Sequence, residues 1–267
     1  MQKLQKGEFF GNHYKKSAFE DCIITDTEYT HKKVDWHYHE NPYFTYLLQG
    51  QLFEANKKEA YYLNAGSLLF HNWQDAHHNI KPDEYTRGFH VELNEEWFKR
   101  YELSSNRIEG SVKLPNPVIK GIFNKVFLES KVNDKFSQTS IDSLIIEVFN
   151  TIEQPNTSKS DKKPQWLAKL KEILIEDNLD LSLTELSLAL NIHPVHLSRT
   201  FREHFGVSLG QYTRQLKLNK AILLISSNQF SMTEICYQCG FYDQSHFTKT
   251  FKSFYGYTPL EALKKIA

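Results

Sequence analysis

The sequence predicts an α+β chain in two domains. The first is an N-terminal β-barrel followed by two helices, the second an all-α domain with two helix-turn-helix units joined by a linker helix. Three observations predict this. Short segments rich in aromatic and β-branched residues, broken by Gly and Asn, fill the first 110 residues. From about Asn116 the apolar spacing becomes helical, and the last hundred residues carry one capped helical pattern twice. A chain of 267 residues has room for about two domains. We expect them at 1–153 and 164–267, with 154–163 as a polar, aperiodic linker.

Taken in order, Tyr43 to Leu48, Gly50 to Ala55, Glu59 to Leu63 and Ser67 to Phe70 read as strands of a small barrel. Ile119, Ile122, Phe123, Val126 and Phe127 then mark one amphipathic helix. Leu144, Ile145, Val148, Phe149 and Ile152 mark a second. After the linker, Trp166, Leu167, Leu170, Ile173 and Leu174 form the stripe of a supporting helix.

The duplication begins with two capping boxes 49 positions apart, Ser182-Leu183-Thr184-Glu185 and Ser231-Met232-Thr233-Glu234. In such a box the Ser side chain accepts from an orphan amide of the first turn, and the Glu accepts from the Ser amide. Each short helix ends at a residue suited to the left-handed conformation, Asn191 and Gly240. The second helices bury Leu197, Phe201 and Phe205 in one copy and Phe247, Phe251 and Phe254 in the other. Between the copies a third box, Ser208 to Gln211, opens a linker helix striped by Leu209, Tyr212, Leu216, Asn219 and Leu223 and ending near Asn228. About 18 helical residues span roughly 27 Å, a fitting strut for two helices one duplex turn, ~34 Å, apart. A fourth box, Thr258 to Glu261 with Pro259 at the first helical position, opens the last helix.

Opposite the buried stripes lie Val195, Ser198, Arg199 and Arg202 in the first copy, and Gln244, Ser245, Thr248, Lys249 and Lys252 in the second. Arg and Lys can donate to guanine, Gln can pair with adenine, Ser and Thr suit either, and Val can touch a thymine methyl. Lys217 and Lys220 are candidates for phosphate contacts, which position without reading sequence. One such face alone is more often an ordinary solvated surface, but two matching copies favour double-stranded DNA.

Residues 165–262 resemble the DNA-binding domain of the AraC/XylS family of bacterial transcription regulators. The match is carried by Leu197-Ser198-Arg199-Thr200-Phe201-Arg202 with Gly206 to Tyr212, and by Gly240 to Lys252 with Gly256-Tyr257-Thr258-Pro259. The resemblance implies a regulator that senses a small molecule and contacts two adjacent major-groove segments. It implies RNA polymerase as a partner if the protein is an activator, and a homodimer seam on the helices at 117–131 and 139–152. Pro194 and Cys236 depart from the pattern. A first-turn Pro is tolerated, and Cys236 reads as a small core residue.

His37-Tyr38-His39, Gly50, Ala65-Gly66 and His77 resemble the cupin barrel that often precedes this DNA-binding domain. Cupin enzymes add a carboxylate a few residues after the His pair, where this chain has Tyr43 and Phe44, and Glu40 comes too soon. We therefore read His37, His39 and His77, with Trp36, Tyr46 and Trp73, as the lining of an effector pocket for a sugar or aromatic compound. We expect no metal, no cofactor and no catalytic residue. A metal-dependent cupin enzyme with a helical accessory domain is the alternative. A DNA alkyl-transfer protein is disfavoured because no reactive Cys cluster lies near the N-terminus.

Cys236-Tyr237-Gln238-Cys239 has zinc or redox spacing, but the only other Cys is Cys22, so core packing is the expectation. Three cysteines, no apolar export segment and no apolar run of membrane length point to the cytoplasm. Net charge is zero, yet residues 1–160 hold 19 Lys and Arg against 22 Asp and Glu, and residues 161–267 hold 13 against 10. The second domain is thus mildly basic, which suits modest nonspecific affinity for nucleic acid.

Overall fold

The computed structural model describes residues 1–103, 110–132, 134–153, 165–175 and 182–266; the expected linker, 154–163, lies outside them. Two sheets face one another in the N-terminal half. One runs β1 (Gln2–Leu4), β4 (Lys33–His39), β9 (His77–Ile80), β6 (Gln51–Asn56), β7 (Ala60–Asn64). The other runs β11 (Ser111–Lys113), β8 (Leu68–His71), β5 (Tyr43–Gln49), β10 (Arg87–Leu93), β3 (Cys22–Glu28), β2 (Asn12–Ala18). This is the double-sheet jelly-roll arrangement used by cupins. The strands expected between Tyr43 and Phe70 are β5 to β8, within a residue or two of their expected ends.

Sequence alternation explains which sheet is covered. β7 reads exposed, buried, exposed, buried, exposed, the half-wetted pattern. In β5 the first six of its seven residues are buried, because both of its faces are occupied. Its inner side chains enter the barrel. On its outer side Phe44 and Tyr46 meet Phe123 of α2 (Pro117–Val132), and Phe44 also meets Phe149 of α3 (Ser137–Glu153). A short helix not expected from the pattern, α1 (Glu95–Arg100), is capped by Asn94 and buries Trp97, whose indole donates to Asp142 of α3 at 2.8 Å.

The C-terminal helices are α4 (Gln165–Ile175), α5 (Leu183–Leu190), α6 (Pro194–Phe205), α7 (Leu209–Ser227), α8 (Met232–Gln238), α9 (Gln244–Tyr255) and α10 (Pro259–Ile266). All four capping boxes form. Asn191 takes φ 53° and ψ 48°, and Gly240 takes φ 69°, the left-handed positions expected of the two turns.

The cores do not follow the chain's division at the linker. Helices α4 to α6 and the start of α7 pack around Leu170, Leu186, Leu197, Phe201 and Tyr212 as a separate cluster. The rest of α7, with α8 to α10, shares one continuous core with the barrel's outer face, α2 and α3. Helix α7 is buried on more sides than the expected stripe: Gln215, Leu218, Ala221, Ile222 and Ile225 are covered too. A helix enclosed by several partners has no obligatory polar face. At its centre the Asn219 side-chain oxygen accepts from Gln215, Asn124 of α2 and the Tyr255 hydroxyl of α9 at 2.9, 3.0 and 3.3 Å, while its amide donates to the Pro117 carbonyl.

The barrel, α3, α7 and α10 pack around α2 and leave Val118, Lys120, Lys125, Glu129, Lys131 and Val132 half-buried and its other residues buried. The outward side of α3 carries exposed Thr139, Ser143, Glu147 and Asn150.

Candidate functional site

Helix α6 is set by Pro194 at its first position, His193 at its N-cap and Gly206 at its C-cap with φ 73°. Helix α9 is set by Asp243, whose carboxylate accepts from the His246 amide, and by Gly256 with φ 80°. In each, the apolar side turns to the core and the polar side to solvent. Val195, Ser198, Arg199 and Arg202 are all exposed, as are Gln244, Ser245, Lys249 and Lys252; Thr248 is half-buried. Val195 shows 72% of its surface, unusual for a β-branched residue with a core available beside it. Tyr242, in the turn before α9, shows 91% and was not singled out from sequence.

Two of these polar groups have local partners. Gln244 donates to the Thr233 hydroxyl of α8, and Arg199 lies 3.9 Å from Glu203 one turn along. Lys217 is held inward: its ammonium donates to the Gly240 carbonyl at 2.6 Å, tying α7 to the second turn. The Cys236 and Cys239 thiols are buried among apolar side chains, and burial pushes Cys239 up to about 12. Neither has the exposed, electropositive setting of a reactive cysteine.

Within the barrel, cross-strand register gathers imidazoles. His37 of β4 pairs with His77 of β9, Tyr43 of β5 with His71 of β8, and Thr45 of β5 with His90 of β10. Glu54 of β6 lies opposite Asn79, which donates to it at 2.9 Å. The cavity beside them has a volume of about 40 Å³ and is lined by Phe9, Tyr29, Tyr43 and Glu54 together with His37, His39, His77 and His90, with His71 behind Tyr43, its ring stacked on the Tyr43 ring at 4.3 Å.

Burial governs the chemistry here. It holds His37 down to about 4 and His90 to about 3, keeps His39 and His71 well below the usual imidazole range, and raises Glu54 to about 8. The hydrogen bonds assign tautomers. His37 and His77 each donate from Nδ1 to a backbone carbonyl, of Asp35 and Asp75, at 2.9 Å. Their Nε2 lone pairs therefore face elsewhere, and that of His77 accepts from the Tyr43 hydroxyl at 3.1 Å.

Of the six side chains expected to line an effector pocket, His37, His39 and His77 enter this cavity and Trp36, Tyr46 and Trp73 do not. Side chains alternate along a strand, so Trp36 leaves the barrel where His37 enters it and packs on His78 with 40% of its surface exposed. Tyr46 is fully buried, but against α2. Trp73 packs beside Phe98 of α1. Glu54, His71 and His90 were missed because nothing local marks a buried polar residue of a strand. Glu40, the carboxylate nearest the His pair in sequence, points outward to Lys3 at 3.2 Å.

Comparison with known proteins follows the duplicated helices. Residues 186–265 match the family described as "Helix-turn-helix domain". The chain is 34% identical over 89 residues to the uncharacterized HTH-type transcriptional regulator YpdC of Escherichia coli (strain K12), covering 33% of this chain and 31% of that protein. It is 25% identical over 233 residues to the uncharacterized HTH-type transcriptional regulator YfiF of Bacillus subtilis (strain 168), covering 80% and 74%. Among solved structures, ToxT from Vibrio cholerae aligns over 92% of this chain and 99% of its own, at 16% identity and a TM-score of 0.38. The match spans about a third of the length of several of the curated relatives. Residues 186–265 thus carry a helix-turn-helix domain similar to those of HTH-type transcriptional regulators, among them GlxA of Rhizobium meliloti (strain 1021), 32% identical over 96 residues.

Proposed function

We propose that the protein is a ligand-responsive, sequence-specific transcription regulator of the cytoplasm, each subunit reading two adjacent major-groove segments with α6 and α9. One observation carries this: two capped helix-turn-helix units present exposed faces of Val, Ser, Arg, Gln, Thr and Lys while their opposite faces are core. The 19 residues of α7 span about 28 Å, close to one duplex turn. Val195, Ser198 and Arg199, with Gln244, Ser245, Thr248 and Lys249, are the base-reading set. Arg202 and Lys252 serve phosphates.

Selection of binding sites from random duplexes tests the assignment. Arg199→Ala and Lys249→Ala should each relax preference in a different half of the site and cost about 1–3 kcal/mol there. Arg202→Ala should weaken all duplexes alike and lower the salt dependence. A selected-site profile unchanged by all three substitutions would reject α6 and α9 as the reading helices.

Regulation needs an effector that binds the DNA-competent and DNA-incompetent arrangements with different affinity. The barrel cavity, at about 40 Å³, is too small for a sugar. A cleft of about 650 Å³ between the barrel and the end of α7 has the size of a small-metabolite site, and Lys15, Arg87 and Lys131 on its wall favour an anionic or polar compound. We place the effector there. Displacement at that cleft would act on the second unit directly and on the first through α7, which belongs to both cores. A homodimer would join through the outward side of α3, and an activating role would bring RNA polymerase as a partner.

A further inference from the structure

The barrel cavity carries more chemistry than pocket lining requires. Two groups of three side chains each bring one ligand atom within 4.8 Å of the others: His37, His39 and His77, and Glu54, His71 and His77. All five residues are buried. The first group uses the positions of the cupin pattern but lacks its carboxylate, since Tyr43 stands there and donates to His77. The second group draws its carboxylate from β6 and an imidazole from β8, positions the cupin pattern does not use.

Buried atoms without a hydrogen-bond partner occur in both groups: one in the first, His39 Nδ1, and two in the second. Glu54 Oε1 and His71 Nε2 are buried without a hydrogen-bond partner, at residues 2% and 1% exposed. A buried polar atom left unpaired is destabilising, so two within one group of potential metal ligands call for a ligand. The surroundings orient them. Ser111 donates its single hydroxyl proton to Asp75 at 2.5 Å, so its oxygen must accept from His71 Nδ1 at 3.0 Å, which leaves the His71 Nε2 lone pair bare. His77 is oriented by the Asp75 carbonyl, and the other oxygen of Glu54 by Asn79. Imidazoles that donate from one nitrogen to a fixed acceptor, beside a hydrogen-bonded carboxylate, are what a metal's outer partners provide.

We propose that Glu54, His71 and His77 bind one divalent transition-metal ion inside the barrel. Two imidazoles and one carboxylate suit zinc or iron(II), and the adjoining cavity of about 40 Å³, lined by Glu54 and His77, leaves room for a bound water. On binding, the Tyr43 hydroxyl yields its contact with His77 Nε2. The site is independent of DNA reading, and neither result bears on the other.

The test is titration of the full-length, metal-stripped protein with cobalt(II), followed by its visible absorption, then displacement by zinc(II) with metal content measured after dialysis. Wild type should take up one equivalent. Glu54→Gln, nearly isosteric, and His71→Ala should each weaken binding about tenfold or more. Tyr43→Phe and His39→Ala should retain it, and each variant's near-ultraviolet circular dichroism reports whether it has folded. No stoichiometric uptake by wild type overturns the proposal, a result that stands even if a variant fails to fold. Unchanged binding in folded Glu54→Gln, or loss in folded His39→Ala, overturns it in favour of the His37, His39, His77 group.

Discussion

His90 shows how a single buried side chain ties this barrel to pH. Its ring nitrogens lie 2.9 Å from the Thr25 hydroxyl and 2.6 Å from that of Tyr29, and Phe9 stacks on its face at 3.9 Å. Burial holds it neutral down to about 3, whereas an unfolded imidazole protonates near 6.5. Between those values the unfolded chain binds one more proton than the folded one, so the contribution of His90 is intact above about 6.5 and is lost as pH falls. Replacing it by Gln should flatten the slope of stability against pH between 4 and 6 by about 1.4 kcal/mol per pH unit. Urea melts of both proteins at several pH values measure this, and equal slopes would show that His90 is protonated when folded. Sequence could nominate His37, His39 and His77 because their spacing is patterned. It could not nominate Glu54, His71 or His90, whose neighbourhood exists only after strands distant in sequence pair.

At the scale of elements, what is local was legible. Capping boxes predicted the starts of α5, α7, α8 and α10, Pro194 the start of α6, and the turn residues Asn191 and Gly240 the ends of α5 and α8, because those interactions close within four residues. Their energies follow from the same locality: Ser231→Ala should cost about 1 kcal/mol, read as a lowered urea midpoint with an unchanged slope. A loss below a few tenths would mean that the core, not the cap, fixes the start of α8. The breadth of α7's buried surface was not legible, since its second face packs on α2, almost a hundred residues away. Nor was α1, one short turn among strands whose apolar Trp97 and Phe98 fit either pattern.

For the whole molecule, the decisive feature is that the two helix-turn-helix units are anchored differently. Among the described residues, the second shares its core with the barrel's covering helices, while the first packs in a cluster of its own. Further ties fasten the second unit: Gln49 and Arg87 donate to the Ser226 carbonyl at the end of α7, and Lys125 of α2 lies over the Phe254 ring at 4.5 Å. Arg87 is itself held by Asp26, which also accepts from Lys131. Burial pushes the Asp26 carboxyl up, but these two cations more than offset it and hold it below the usual carboxylate range. Asn219→Leu should destabilise the protein by about 1–3 kcal/mol, because it removes the acceptor shared by Asn124, Gln215 and Tyr255. It should also speed amide exchange in the second half of α7 while leaving α5 and α6 unchanged. Uniform loss of protection in both units would mean that they unfold as one body.

By itself, the sequence determined the repeated helical unit, its caps and turns, the polar identity of both outward faces and the presence of a barrel before them. Each of these depends on contacts between near neighbours or on a period of two or 3.6. Tertiary structure alone decided which aromatic residues leave the barrel, which carboxylate joins the imidazoles, and that α2 packs against α7 and α10 as well as the barrel. Those outcomes depend on strand register and on packing between segments far apart in the chain, where the identity of a residue does not reveal what it will face.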